Sequence, residues 1–486
     1  MNFRIVSRGI GLAVILLVTA CRGEHQQVYL DLEDESVMDR VFPEDQLRED
    51  VEYLFARLHE LHPDLNARLP EQERLALLTS LLAGIDRPMN RREFHRLIGV
   101  ATEKFRDGHA GVFYPYPEFD RFTENGGQVF PMTVSATAAG LFVKNDYSST
   151  GALPAGVRLL DVNGIPVPEI LATMARYTRG ESQVLREQIA ASHFSTLLWH
   201  FYDFHTDFRV GYEIDGMVRS AQITGISHEA FNRKVKEIEE SGGVNLAYRS
   251  LGHKVGYLDV SYFGGDKGDF KRAIKQAVDT AQEEETRAIV VDIRRNPGGS
   301  TDNVETLLAR LAPKECGLVS EVMEKLNDKS ASGLFSKGKP GDLVPAGGSV
   351  TVYPESESRR FPGKVYLLIG PYTYSAGIVM ATAVQDCGVG TLVGEETAGF
   401  ANQTGQIYFF NLPHTQLRAF APTRALLRPS GDRKWHGVVP DHVFAPSAEQ
   451  LRSGRDAVIE FTKDLALTAH STRVQDRDQA PDGSQE

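Results

Sequence analysis

The sequence predicts a multidomain α/β protein, and three observations predict it. Leucines and other apolar residues recur at three- and four-residue steps between Pro43 and about Phe105, the spacing of packed helices. From about 129 to 225, short strand-like runs surround an Asn163-Gly164 pair, a hairpin signal. From about 244 onward, apolar runs of strand length alternate with helical patterns, as in a sheet covered by helices on its faces.

The chain has 486 residues, with 41% hydrophobic and 24% charged residues and a formal net charge of −12. That length allows about three domains, and the balance is that of a globular protein. A nucleic-acid partner requires a basic footprint, so the acidic balance argues against one. No Cys-x-x-Cys and no His-Glu-x-x-His spacing occurs, so no metal or cofactor is expected.

Residues 1–20 read as a targeting segment. Arg4 and Arg8 precede an apolar run, Ile10 to Val18, that is short for a membrane span. It ends in Val18-Thr19-Ala20-Cys21, the pattern of a bacterial lipoprotein signal, with Cys21 lipidated as the mature N-terminus. Arg22 rather than an aspartate follows, which predicts sorting to the outer membrane, facing the periplasm or the surface, tethered by acyl chains. Residues 21–42 form an acidic linker. Beyond Cys21 the cysteines are Cys316 and Cys387. An exported compartment permits a disulfide, and two buried free thiols are the alternative.

The helical region spans 43–115. Leu47, Val51, Leu54, Phe55, Leu58 and Leu61 mark its first helix, ended at Pro63. Leu75, Leu77, Leu78, Leu81 and Leu82 mark a second, and Phe94, Leu97, Ile98 and Ala101 a third. It closes in Asp107-Gly108-His109-Ala110-Gly111, where a lone histidine sits between glycines. A solvated turn histidine is one reading. A general base presented to another domain is the second, because a Ser–His pair needs proximity in space rather than in sequence.

In the β-rich module, 129–225, the string Gly156 to Val167 with a helix after it resembles the core of a PDZ-like domain. Such domains take peptide ends by adding them to a sheet edge. The α/β region, 244–467, contains the buried strand Arg287 to Ile293, then Asn296-Pro297-Gly298-Gly299-Ser300 and a helix from Asn303 to Leu311. Bare backbone at the double glycine suits either a tight turn or an oxyanion hole. A second strand, Val365 to Ile369, leads through Thr373-Tyr374-Ser375-Ala376-Gly377 into a helix from Ile378 to Gln385. Ser375 is thus at a strand-to-helix junction, where it acts either as an N-cap or as a nucleophile beside unpaired N–H groups. Gln406 to Asn411 and Gln416 to Ala421 alternate like a hairpin, and a final helix runs from Ala448 to about Leu467. Residues 468–486 read as a disordered polar tail.

Three motifs lie in one order: Asp-Gly-His at 107–109, Asp-Ile-Arg-Arg-Asn-Pro-Gly-Gly at 292–299, and Thr-Tyr-Ser-Ala-Gly at 373–377 with Val-Gly-Glu-Glu-Thr-Ala-Gly at 393–399 behind it. Together they resemble the C-terminal processing and tricorn-like serine peptidase family. The resemblance covers about Pro43 to Leu467. It implies a helical N-terminal region, a PDZ-like domain and a crotonase-like α/β catalytic domain of repeated ββα units. It implies Ser375 as nucleophile, the N–H groups of Gly298 or Gly299 and of Ala376 as oxyanion donors, and His109 as base. Peptides or unfolded protein ends are the implied substrates.

Two positions depart from the family pattern. The processing branch carries a lysine 25 residues after its serine, and here that residue is Phe400. The tricorn-like branch orients its histidine with a glutamate whose position here is Lys434, which cannot accept an imidazole N–H. Asp432 is the first substitute, ahead of Glu395 and Glu396. Asp386 matches a family residue but lies too far along the helix to act on Ser375, as a helix-end structural group. The departures leave a second function, a non-catalytic peptide-binding lipoprotein.

Overall fold

The computed structural model describes residues 35–151, 153–241, 246–331, 338–346, 350–447, 450 and 455–478. The expected leader at 1–20 and Cys21 lie outside these residues.

A six-stranded sheet organises the C-terminal half. Its strands follow in sequence order: Tyr248–Ser250, Val255–Asp259, Ala288–Asp292, Lys364–Ile369, Thr391–Gly394 and His442–Val443. The first pair is antiparallel and every later pair is parallel. Side chains alternate between faces with a period of two. Leu258, Ile289, Val291, Leu367 and Ile369 meet the helices Lys267–Glu283, Thr301–Leu311 and Ala376–Asp386. Tyr257, Val290, Tyr366 and Leu368 meet the helix Ala457–Asp478. Burial on both faces explains why these strands read as continuous apolar runs. The loops leaving the carboxyl ends of parallel strands converge in a crevice. Residues 260–264, 293–300 and 370–375 are those loops.

The helices Glu44–Leu61, Glu71–Ala83 and Arg91–Ile98 match the leucine pattern. They do not close a core alone. Their apolar faces are completed by Phe410, Leu412, Leu417, Ala419 and Ala421 from the hairpin Gln403–Asn411 and Arg418–Leu427. Buried Asp50 fastens the hairpin turn by accepting the Thr415 hydroxyl and the N–H groups of His414 and Thr415. The short strand Gly111–Val112 then pairs antiparallel with Phe420 and Ala419. Part of the expected linker, 21–42, is packed rather than loop-like: Val37 and Phe42 are buried, and Phe42 exchanges backbone hydrogen bonds with Met89.

The middle module is an antiparallel sheet, Met132–Thr137, Gly140–Asp146, Arg158–Val162, Asp207–Ile214 and Met217–Thr224. The Asn163-Gly164 turn has positive φ at both residues, 52° and 82°, as a tight hairpin of this kind requires. Helices Val167–Ala175, Gln183–Ser192 and Phe194–Tyr202 contribute apolar faces to its core.

Cys316 and Cys387 are joined as a disulfide across 71 residues. Cys387 ends the helix that begins after Ser375. Closing such a loop restricts the unfolded chain, typically stabilising by about 2–4 kcal/mol. The tail departs from expectation. The last helix continues to Asp478, so 468–478 is helical rather than disordered, and 479–486 lie outside the described residues.

Candidate active site

Ser375 stands at the junction of strand Lys364–Ile369 and helix Ala376–Asp386, with φ 53° and ψ −119°. A side chain held there costs about 1–3 kcal/mol, so surrounding bonds must impose it. Tyr374 N–H donates to the Asn296 carbonyl at 2.9 Å, and the Gln403 amide donates to the Ser375 carbonyl at 2.9 Å. Thr373 Oγ1 donates to the Ile293 carbonyl at 2.9 Å. The hydroxyl of Ser375 does not cap its helix. It lies 3.3 Å from His109 Nε2 instead.

The double glycine lies against the serine. Gly298 has φ 124°, and a Cβ there would stand 2.7 Å from Ser375 Cβ and 3.3 Å from the Ala376 nitrogen. At Gly299, φ 126°, a Cβ would stand 2.5 Å from the Phe263 backbone. Both positions therefore demand glycine. Their donors differ. Gly298 N–H is already committed to Asn296 Oδ1 at 2.8 Å, so Gly298 does not serve as an oxyanion donor. Its part is to let the backbone approach. Gly299 N–H and Ala376 N–H have no partner among the described residues, Ala376 being the first residue of its helix.

His109 reaches Ser375 because Gly111–Val112, two residues on, is stitched to the hairpin. The imidazole is buried and stacks on the Tyr374 ring, 5.0 Å between centroids. Its Nδ1 faces two hydroxyl oxygens, Tyr374 at 3.2 Å and Thr404 at 3.3 Å. Each hydroxyl spends its proton on a carboxylate. Tyr374 donates to Glu181 at 3.0 Å, and Thr404 donates to Asp107 at 2.8 Å. Only their lone pairs remain for Nδ1, which must therefore carry the ring proton. Nε2 is left with its lone pair toward Ser375, the tautomer a general base needs.

Asp107 is anchored in turn. It accepts the His109 backbone N–H at 2.7 Å and faces His62 Nε2 at 3.1 Å. His62 Nδ1 accepts the Asp64 N–H at 3.0 Å, so Nε2 is the nitrogen that donates to Asp107. Burial alone would raise the Asp107 carboxyl. The His62 hydrogen bond and the nearby charges outweigh it and hold the group below its ordinary range. Burial lowers His109 to about 4, against the pull of Asp107, so the imidazole is neutral at neutral pH. Burial and the Asp107 charge push Glu181 up to about 7.

The structure brings Ser375 and His109 together, with Gly298 against Ser375 and the Ala376 nitrogen and Gly299 beside it against the Phe263 backbone. It does not bring Asp432 to them. That carboxylate accepts the Lys434 N–H of its own loop, and its carbonyl accepts from Asn402. Hydrogen bonds hold the loop in this form, so an acid chosen by sequence offset lands away from the ring. Glu396 accepts the Gly437 N–H instead. Asp386 forms a double hydrogen-bonded ion pair with Arg428, a structural contact as expected. Phe400 lies with Trp435 beside the Arg68 guanidinium, which sits 4.0 Å above the Trp435 ring. Sequence reasoning missed Asp107, Tyr374, Thr404, His62 and Glu181. Asp107 and Tyr374 stood inside the quoted motifs; Glu181 carried no local signal.

Residues 254–444 match peptidase family S41. Among solved structures, a point mutant of CPAF aligns over 87% of this chain and 97% of its own, with a TM-score of 0.66 and 14% identity. Mature CPAF in complex with lactacystin aligns over 87% of this chain and 98% of its own, with a TM-score of 0.63 and 16% identity. At that identity the likeness speaks to the multidomain α/β fold. The family match covers the strands and loops that carry Ser375, Gly298 and Gly299, so this part of the chain is similar to the peptidases of family S41.

Proposed function

We propose that the chain cleaves peptides or unfolded protein ends in the bacterial cell envelope through an acyl-enzyme, with a Ser375–His109 pair in place of a Ser–Lys dyad. The observation that carries this is the proton arrangement at His109. Nδ1 is surrounded by acceptors, and Nε2 lies 3.3 Å from the Ser375 hydroxyl.

His109 Nε2 takes the Ser375 proton as Oγ bonds to the substrate carbonyl carbon. The carbonyl oxygen becomes an oxyanion held by the Gly299 and Ala376 N–H groups, each such donor contributing about 3 kcal/mol. The imidazolium passes its proton to the leaving amine and the C–N bond breaks, leaving an ester on Ser375. Water then attacks the ester with His109 again as base, the acid departs, and Ser375 regains its proton. Asp107 offsets the positive charge that His109 carries transiently.

A fluorophosphonate probe tests the reading. The folded full-length chain is expected to label once, with the adduct on the peptide containing Ser375. Absence of labelling under conditions that label a control serine peptidase sinks it. The envelope location rests on the Cys21 pattern. Labelled protein is expected in the membrane fraction, and Cys21→Ser is expected to release it as a soluble or unprocessed form. A Cys21→Ser protein that is processed and stays membrane-bound would remove the anchor.

A further inference from the structure

Glu181 belongs to the middle module, yet its carboxylate ends beside the catalytic histidine. It precedes the helix Gln183–Ser192, whose N-cap is Ser182. Ser182 Oγ donates to the Ala398 carbonyl at 2.7 Å, which clamps this loop onto the catalytic domain. Arg186 donates to the Gly180 carbonyl at 3.0 Å, closing the loop from its other side. Glu181 is buried, with Oε1 on the Tyr374 hydroxyl and Oε2 without a hydrogen-bond partner among the described residues. A buried carboxylate with half its acceptor capacity unused is costly for folding alone.

Tyr374 has a single seat. A Cβ on Gly108 would stand 2.0 Å from its hydroxyl oxygen, and one on Gly399 would stand 2.4 Å from its ring. The hydroxyl is thereby held between Glu181 Oε1 and His109 Nδ1. We propose that Glu181 is a positioning residue which, through the Tyr374 hydroxyl, keeps His109 in the Nδ1–H tautomer and offsets the charge on the imidazolium during acylation. The proposal rests on the Ser375–His109 reading and adds the middle module to the catalytic machinery.

The direction of hydrogen bonding gives it a pH signature. Ionised Glu181 can only accept, so Tyr374 donates to it and offers a lone pair to Nδ1–H. Protonated Glu181 has a proton to give. It can donate to the Tyr374 oxygen, which then turns its own proton toward Nδ1. That drives the ring proton to Nε2, where it blocks the base. The charge that offsets the imidazolium disappears in the same step. The groups facing Glu181 are Tyr374 from the serine turn, Asp107 and Arg68 from the helical region, and Arg186 from the helix that follows it. Burial and Asp107 raise the carboxyl toward about 7, while Arg68 and the Tyr374 bond oppose them. His109, lowered to about 4 by burial, is already neutral across that range. Acylation therefore gains as pH rises through the Glu181 value, not the histidine value.

The test is the rate of fluorophosphonate labelling of the full-length chain between pH 5 and 9, for the unaltered protein, Glu181→Gln, Tyr374→Phe and the double variant. The unaltered chain is expected to show a rise near pH 7. Glu181→Gln is expected to label about tenfold more slowly at pH 8 and to lose the rise, and Tyr374→Phe to behave alike. Adding Glu181→Gln to Tyr374→Phe is expected to change nothing further, because the carboxylate acts only through the hydroxyl. An unchanged rate and pH profile in Glu181→Gln overturns the proposal, as do losses that multiply in the double variant. If Glu181→Gln fails to fold, a Tyr374→Phe profile that keeps the rise near pH 7 overturns it. The unaltered chain separates the two readings. Labelling there with indifferent variants removes only the positioning role, while no labelling removes the serine–histidine mechanism as well.

Discussion

Ser375→Ala and His109→Ala are each expected to lower peptide hydrolysis by roughly 10⁶-fold, and the double variant by no more than either alone. The expectation follows from the two residues acting as one unit. Without the hydroxyl no ester forms. Without Nε2 at 3.3 Å the hydroxyl keeps its proton, and no lysine stands where the processing branch holds one, since Phe400 is packed with Trp435 and Arg68. Residual activity is expected from the Gly299 and Ala376 donors and substrate binding. Initial rates on an unfolded protein substrate would check this. Losses that multiply in the double variant would show that the residues act separately. Substantial activity in Ser375→Ala would show another nucleophile.

Asp107→Ala is expected to destabilise the fold by about 3–5 kcal/mol and to slow acylation as well. The carboxylate is fully buried and receives the His62 ring, the His109 backbone N–H and the Thr404 hydroxyl. Removing it strands those donors in a space closed to water. The pH dependence has a definite sign. Folding holds this carboxyl below its ordinary value of 3.8, so the ionised form is the one that folding favours. Its stabilisation is fully present above 3.8 and declines as pH falls further toward the folded-state value. Asp107→Asn should therefore lose stability at pH 7, with a gap to the parent that narrows below pH 3.8. Urea midpoints at constant m-value measure both effects. A gap that widens on acidification would contradict the assignment.

Much of this arrangement was legible in the sequence because it rests on local chemistry. A buried β-run followed by Gly-Gly, and another followed by Thr-Tyr-Ser, specify strand-to-helix turns whatever the rest of the chain does. The turns left Ser375 as either an N-cap or a nucleophile and the double glycine as either a turn or an oxyanion hole; the resemblance to the processing and tricorn-like peptidases chose the roles of Ser375, Gly299 and Ala376. The Asn163-Gly164 hairpin was legible from local chemistry too, since few residues besides glycine and asparagine accept its backbone angles. What escaped depends on docking. Asp432 was selected by its distance along the chain from a glycine, but the imidazole is oriented by hydroxyls whose carboxylates come from two other regions. Glu181 meets Tyr374 only once the middle module is clamped through Ser182. Gly298 looked equivalent to Gly299 until the Asn296 side chain took its N–H. The helical region likewise looked self-sufficient, because its leucine stripe gives no sign that a hairpin some 300 residues later completes its core.

The pairing of Gly111–Val112 with Ala419–Phe420 also bears on biogenesis. Synthesis proceeds from the N-terminus, so His109 emerges long before Ser375. Even when Ser375 has been made, the ribbon that aims His109 has no strand to join until the hairpin follows. A nascent chain thus carries Ser375 and His109 without the strand pairing that aligns them. The alignment of His109 with Ser375 arrives late, as a property of the finished fold.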